Sequence, residues 1–144
     1  MAIPDAILDK DGPLDDQERA YVQRHSVAGE RIIAAAPALA NVAPLVRSVH
    51  ERYDGSGYPD GLSGDEIPLG ARIIAVCDAY NAMTSDQRPY RRPVSHEKAI
   101  AEIRRCAGSR FDPLIIRAFL RTQSARSRAE SRMTAAFRPG LTQA

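Results

Sequence analysis

His25, His50 and Asp78 are the side chains in this sequence best suited to hold a metal ion, and each falls on a helical stripe that is otherwise apolar. His25 stands four residues after Tyr21 and seven before Ile32, and His50 stands four after Val46 and seven after Ala43. Asp78 stands seven after Ala71 and four before Ala82. Such intervals put each residue on the inward side of its own helix. An ionised carboxylate there is costly to desolvate unless a hydrogen bond, a counter-charge or a metal meets it. Taken singly, the three have structural explanations: core histidines, and an aspartate hydrogen-bonded to a neighbouring loop. Taken together, two imidazoles and a carboxylate from three helices make an open facial site for a divalent cation. His96 follows a helix-capping Ser95 in a first turn and reads as a surface residue. Arg88, Arg91, Arg92, Arg104, Arg105 and Arg110 read as a solvated face, although the guanidinium fork matches phosphate oxygens.

The elements that must position these groups are helical. Residues 1–14, with Pro4, Gly12 and Pro13, are expected to be looped or extended. Asp15 or Asp16 caps a helix that Pro37 stops, and Asn41 caps a second, with Pro44 in its first turn, ending near Tyr53. Residues 54–70 hold five glycines and two prolines, which forbids a helix. Tyr58, Leu62, Ile67 and Leu69 are interleaved there and mark a packed loop rather than a linker. Residues 71–84 form a central helix lined by Ala71, Ala75, Ala79 and Ala82. Ser95 caps a fourth helix that Gly108 closes, and Asp112-Pro113 opens a fifth. The fold class is all-α. Residues 1–122 form one domain, and residues 123–144 are a polar Arg/Ser/Ala-rich tail, a fraying helix that gives way to disorder.

Composition narrows the function classes. A formal net charge of +2 argues against nucleic acid as the partner. No stretch approaches the roughly 20 apolar residues of a membrane span, and the first residues lack the pattern of a signal peptide. Cys77 and Cys106 lie in apolar helical patterns and are expected as buried thiols of a cytoplasmic protein.

The ordered text His50-Glu51-Arg52-Tyr53-Asp54-Gly55-Ser56-Gly57-Tyr58-Pro59-Asp60-Gly61-Leu62, then Ile67-Pro68, then Ala71 through Tyr80, then Arg88-Pro89-Tyr90-Arg91, closely resembles the HD-GYP family. Ile3-Pro4-Asp5, His25 with Gly29, and Gly108 with Phe111-Asp112-Pro113 extend the resemblance over most of the chain. It implies an HD-type helical bundle and a cluster of divalent metals, usually including iron, with manganese as the other family metal. The implied reaction is metal-assisted hydrolysis of a phosphodiester bond in cyclic di-GMP or a related cyclic dinucleotide. By the same resemblance His25, His50 and Asp78 are metal ligands and Arg88 and Arg91 grip the substrate phosphate. Gly57, Tyr58 and Pro59 form the signature loop, which is also implied as a docking surface for a diguanylate cyclase domain.

Two departures shape the expectation further. The His-Asp doublet that precedes the Ile3-Pro4-Asp5 stretch in the family has no counterpart here, and Val49 stands where the family has a further histidine. Gln87 is an extra residue before Arg88, and Asn81 takes a place often held by Asp. These departures predict a chain that is inactive or incomplete as an enzyme on its own, with an exposed apolar helix face open to oligomerisation. The alternative is a non-catalytic module of bacterial signalling that binds a cyclic dinucleotide or a protein partner.

Overall fold

The computed structural model describes residues 4–8, 10, 12–86 and 92–136. They build an all-α architecture in the order α1 (Asp5–Leu8), α2 (Asp16–Ala34), α3 (Ala43–Ser48), α4 (Leu69–Thr84), α5 (His96–Arg105) and α6 (Pro113–Ala136), with short 3-10 turns at Pro37–Val42 and Gly64–Glu66. Among the described residues no strand forms; isolated bridges join Asp54 to Ser63 and Ala107 to Phe111.

Local chemistry sets the helix ends. Asp15 caps α2 by accepting from Glu18 N–H, while the Glu18 carboxylate accepts from Asp15 N–H. This reciprocal pair satisfies two amides that the helix itself leaves unbonded. Ser95 caps α5, and Gly108, at φ +77°, reverses the chain after it. The Asp112 carboxylate accepts from Leu114 N–H at 2.7 Å at the start of α6.

Two expectations change. Residues 5–8 form one helical turn instead of loop, with Ile7 N–H donating to the Pro4 carbonyl at 2.9 Å. The second helix is also shorter than its apolar spacing implies. Residues 37–42 wind as 3-10 helix, α3 ends at Ser48, and Val49 and His50 lie in a turn. The Gly/Pro-rich segment draws the backbone out of the helix sooner than the stripe alone suggests. Residues 137–144 lie outside the described residues.

The core lies among α4, α5 and α6, where Val76, Ala79, Ile103, Phe111 and Ile116 are buried together. Across it runs an ion pair in which Arg72 Nη1 donates to Asp112 Oδ2 at 2.9 Å and also reaches the exposed Asp65. On the Arg72–Asp112 side the charges are desolvated, with side-chain exposures of 12% and 2%. The opposite arc of α4 is open: Leu69, Ile73 and Ile74 are 57%, 43% and 41% exposed. Leu45 of α3 reaches this arc at Gly70, and Cys77, two turns on, is exposed, contrary to the buried thiol expected; Cys106 is half-buried, and both thiols are free.

Removing one partner of a buried ion pair strands the other charge, at a cost of about 3–5 kcal/mol. Asp112→Ala is therefore expected to lower unfolding stability by about that much, read from urea denaturation, while removing the exposed partner in Asp65→Ala should shift it by less than about 1 kcal/mol.

Candidate metal centre

α2 delivers His25, and the turn after α3 delivers His50. Their Nε2 atoms lie 2.9 Å apart, with the rings edge to face at a centroid distance of 4.8 Å. The Val22 carbonyl, one turn back on α2, lies 2.6 Å from His25 Nδ1. A carbonyl only accepts, so Nδ1 carries the proton, and in the neutral ring the Nε2 lone pair faces His50. His50 Nε2–H then donates to that lone pair. Two imidazole nitrogens at this spacing can also serve one cation at ligand distances of about 2.0–2.1 Å, and a carbonyl holding the far ring nitrogen is the usual support for such a ligand.

Burial, more than neighbouring charge, favours the neutral form of His50, the form that can ligate. Burial holds its imidazole below the ordinary range, His25 and Arg110 act in the same direction, and the Asp78 charge opposes them. The Tyr58 ring stacks on His50, with centroids 5.1 Å apart and planes 19° apart. Burial pushes the Tyr58 phenol above its usual range.

His50, Tyr58, Val49 and Asp78 line one cavity of about 370 Å³. Asp78 is exposed there rather than desolvated, which corrects the reading of its position. It sits where the packed arc of α4, marked by Ala71, Val76 and Ala79, gives way to exposed Ile74. Among the described residues no group of three or more His, Cys, Asp or Glu side chains is gathered closely enough to hold a metal ion. His25 and His50 are thus brought together, while Asp78 shares the cavity of His50 without closing a three-residue cluster. Arg88 and Arg91 lie outside the described residues. His96 is exposed, with its Nδ1 2.8 Å from the Tyr80 hydroxyl.

The residue that sequence reasoning passed over is Glu51. It reads as the polar exit of a helix, yet it is only 4% exposed. Its carboxylate accepts from Asp60 N–H at 2.7 Å and from Leu62 N–H at 3.1 Å. The signal was available: a glycine-rich loop packed against the body buries amides that need acceptors, and Glu51 is the carboxylate at its entrance. From outside, Arg47 makes a two-pronged contact with Asp60, at 2.6 and 2.7 Å, and also donates to Glu30 on α2 at 2.6 Å. The Tyr58–Pro59 peptide is cis. At Gly57 the loop crosses so near its own start that a Cβ would stand 2.3 Å from Arg52 N and 2.5 Å from Glu51 Cα.

The family model described as HD domain matches residues 1–115. The chain belongs to the HD-domain family. Its relatives identify it further as an HD-GYP domain. It is 44% identical over 128 residues to a probable cyclic di-GMP phosphodiesterase of Vibrio cholerae, covering 83% of this chain and 29% of that protein. It is 40% identical over 125 residues to a cyclic di-GMP phosphodiesterase of Thermotoga maritima, covering 85% and 34%. It is 39% identical over 144 residues to the cyclic di-GMP phosphodiesterase response regulator RpfG of Xanthomonas campestris, covering 98% and 38%. The chain therefore spans about a third of the length of these relatives. The crystal structure of a cyclic GMP-AMP-specific phosphodiesterase of V. cholerae matches with a TM-score of 0.59 at 20% identity, over 85% of this chain and 32% of that one, and so shares the fold. HD-domain phosphohydrolases are generally metal-dependent. Among the described residues no helix of this HD-GYP domain is long and apolar enough to cross a membrane.

The crossing at Gly57 can be tested against a nearby control. A Cβ there would meet backbone atoms, whereas at Gly64, with φ +52°, it would meet nothing within 4 Å. Gly57→Ala is expected to destabilise the chain by about 2–3 kcal/mol or more through overpacking. Gly64→Ala should cost only left-handed strain, about 1 kcal/mol. Urea denaturation of both variants gives the comparison.

Proposed function

We propose that this chain carries the metal- and phosphate-binding part of a cyclic dinucleotide phosphodiesterase, with residues 1–122 as the functional unit and 123–144 as a tail. In this reading His25, His50 and Asp78 hold a divalent cation, iron or manganese, and Arg88 and Arg91 take the substrate phosphate. The observation that carries it is the pair of Nε2 atoms 2.9 Å apart, one of them fixed as a lone pair by the Val22 carbonyl. A bound cation of this kind would neutralise charge on the phosphodiester and activate a water for attack. The chain's own contribution is to favour the neutral form of His50 by burial, to brace its ring against Tyr58, and to leave Asp78 accessible from the same cavity. The substrate class follows from the relatives, which are named for cyclic di-GMP and, in another V. cholerae protein, for 3'3'-cGAMP. The open arc of α4 and the signature loop are the surfaces on which a second copy or a diguanylate cyclase domain would assemble.

A second reading, binding without turnover by this chain alone, is favoured by one observation. Val49 occupies the wall of the cavity beside His50, and an aliphatic side chain there supplies neither ligand nor base.

Purified full-length chain, loaded with manganese or with iron under reducing conditions, separates the readings. The phosphodiesterase reading predicts linear dinucleotide or GMP from cyclic di-GMP, with product lost in His50→Ala. Saturable cyclic di-GMP binding without product supports the second reading. Absence of both product and binding contradicts the two together. In either reading His25→Ala and His50→Ala should each weaken manganese binding by roughly tenfold or more, measured by calorimetry, and unchanged affinity would remove these residues from the ligand set.

A further inference from the structure

The cavity lined by His50 and Tyr58 is not isolated. A second cavity, of about 430 Å³, lies beyond a wall made of Asp78, Arg110 and Phe111, and these three residues line both spaces. Each space falls in the size range of small-molecule sites.

Arg110 is the cation in that wall. Its guanidinium stands over the Phe111 ring, 5.1 Å from the centroid, and the residue is exposed. Among the described residues no carboxylate lies within ion-pair distance of it. Glu102, which lines the second cavity, is engaged by Arg105 in a two-pronged contact at 2.6 and 2.8 Å. The main chain at Arg110 is held firmly: its N–H donates to the Cys106 carbonyl at 3.1 Å and its carbonyl accepts from Tyr53 N–H at 3.3 Å. Asp54 N–H also donates to the neighbouring Ser109 carbonyl at 2.8 Å, so the turn is tied to the base of the signature loop. A positioned guanidinium that makes no ion pair among the described residues, set in the wall shared by two spaces, is suited to an anion with a body on each side. Its parallel N–H groups match the two free oxygens of a phosphodiester.

We infer that Arg110 is an anion-binding residue that grips one phosphate of a cyclic dinucleotide whose two nucleoside halves occupy the two cavities. The identity of that ligand rests on the function proposed above; the anion site at Arg110 does not. Lys98 also lines the second cavity, as do the carboxylates of Asp78 and Glu102.

Calorimetric titration of the manganese-loaded full chain with cyclic di-GMP tests this directly. Arg110→Ala should weaken binding about tenfold or more, as expected for losing a charged hydrogen-bonding partner, and Arg110→Lys should recover part of that loss. Thermal unfolding of both variants should stay close to that of the unsubstituted chain, because the exposed Arg110 makes no ion pair among the described residues and gives up only its contact with the Phe111 ring. Arg110→Ala binding cyclic di-GMP as tightly as the unsubstituted chain would overturn the assignment. If the unsubstituted chain itself does not bind cyclic di-GMP, the proposed substrate fails, and inorganic pyrophosphate then decides on the anion site. A shift of the Arg110 Nε–H resonance on its addition, the signal being assigned by its loss in Arg110→Lys, supports the site. An unmoved signal refutes it.

Discussion

The Glu51 carboxylate, buried and bonded to the amides of Asp60 and Leu62, is the contact on which the arrangement of this domain depends. It turns a glycine-rich segment back onto its own beginning. Because Glu51 directly follows His50, the interaction that closes the loop also fixes the backbone that carries the imidazole. Tyr58 N–H donates to the His50 carbonyl at 3.3 Å, so loop and histidine are joined a second time. The missing side chain at Gly57 permits this crossing, since any Cβ would collide with backbone. An isolated carboxylate at this depth would be strongly unfavourable; with two amides for partners it satisfies groups that the loop would otherwise bury unbonded.

From that closed loop the remaining elements acquire distinct tasks. Arg47 ties loop, α3 and α2 together through Asp60 and Glu30, holding His25 and His50 in register across the helix pair. α4 works on two sides. One side packs Val76 and Ala79 into the core and pairs Arg72 with Asp112, while the other leaves Leu69, Ile73 and Ile74 open to solvent. Asp78 stands near the boundary between the two, which is why a carboxylate is tolerated at that position. The chain covers about a third of each of its relatives' lengths.

Most of the helical frame was legible in the sequence because its signals are local. Asp15 with Glu18, Ser95 and Asp112 each mark a helix start through contacts within a few residues. The signature text around Gly57-Tyr58-Pro59 named the family that the comparisons show. What periodicity could not supply was depth. Cys77 and Asp78 follow the rhythm of a buried stripe, yet Cys77 falls on the open arc of α4 and Asp78 at its edge against a cavity, and exposure depends on neighbours rather than rhythm. Glu51 failed in the opposite direction: its charge reads as surface, and only the path of the loop reveals that two amides meet it. Arg110 likewise reads as one of several solvated arginines until the turn at Cys106–Phe111 places it between two cavities.

The proposed metal-binding pair is His25 and His50, facing each other with His25 protonated on Nδ1. Nitrogen-15 imidazole spectra of the full chain, recorded metal-free and then with one equivalent of zinc as a diamagnetic probe, test it most directly. His25 should be found as the Nδ1–H tautomer before addition, and the Nε2 signals of both residues should shift together afterwards. A His25 found as the Nε2–H tautomer, or zinc that moves neither ring or only one, would contradict it.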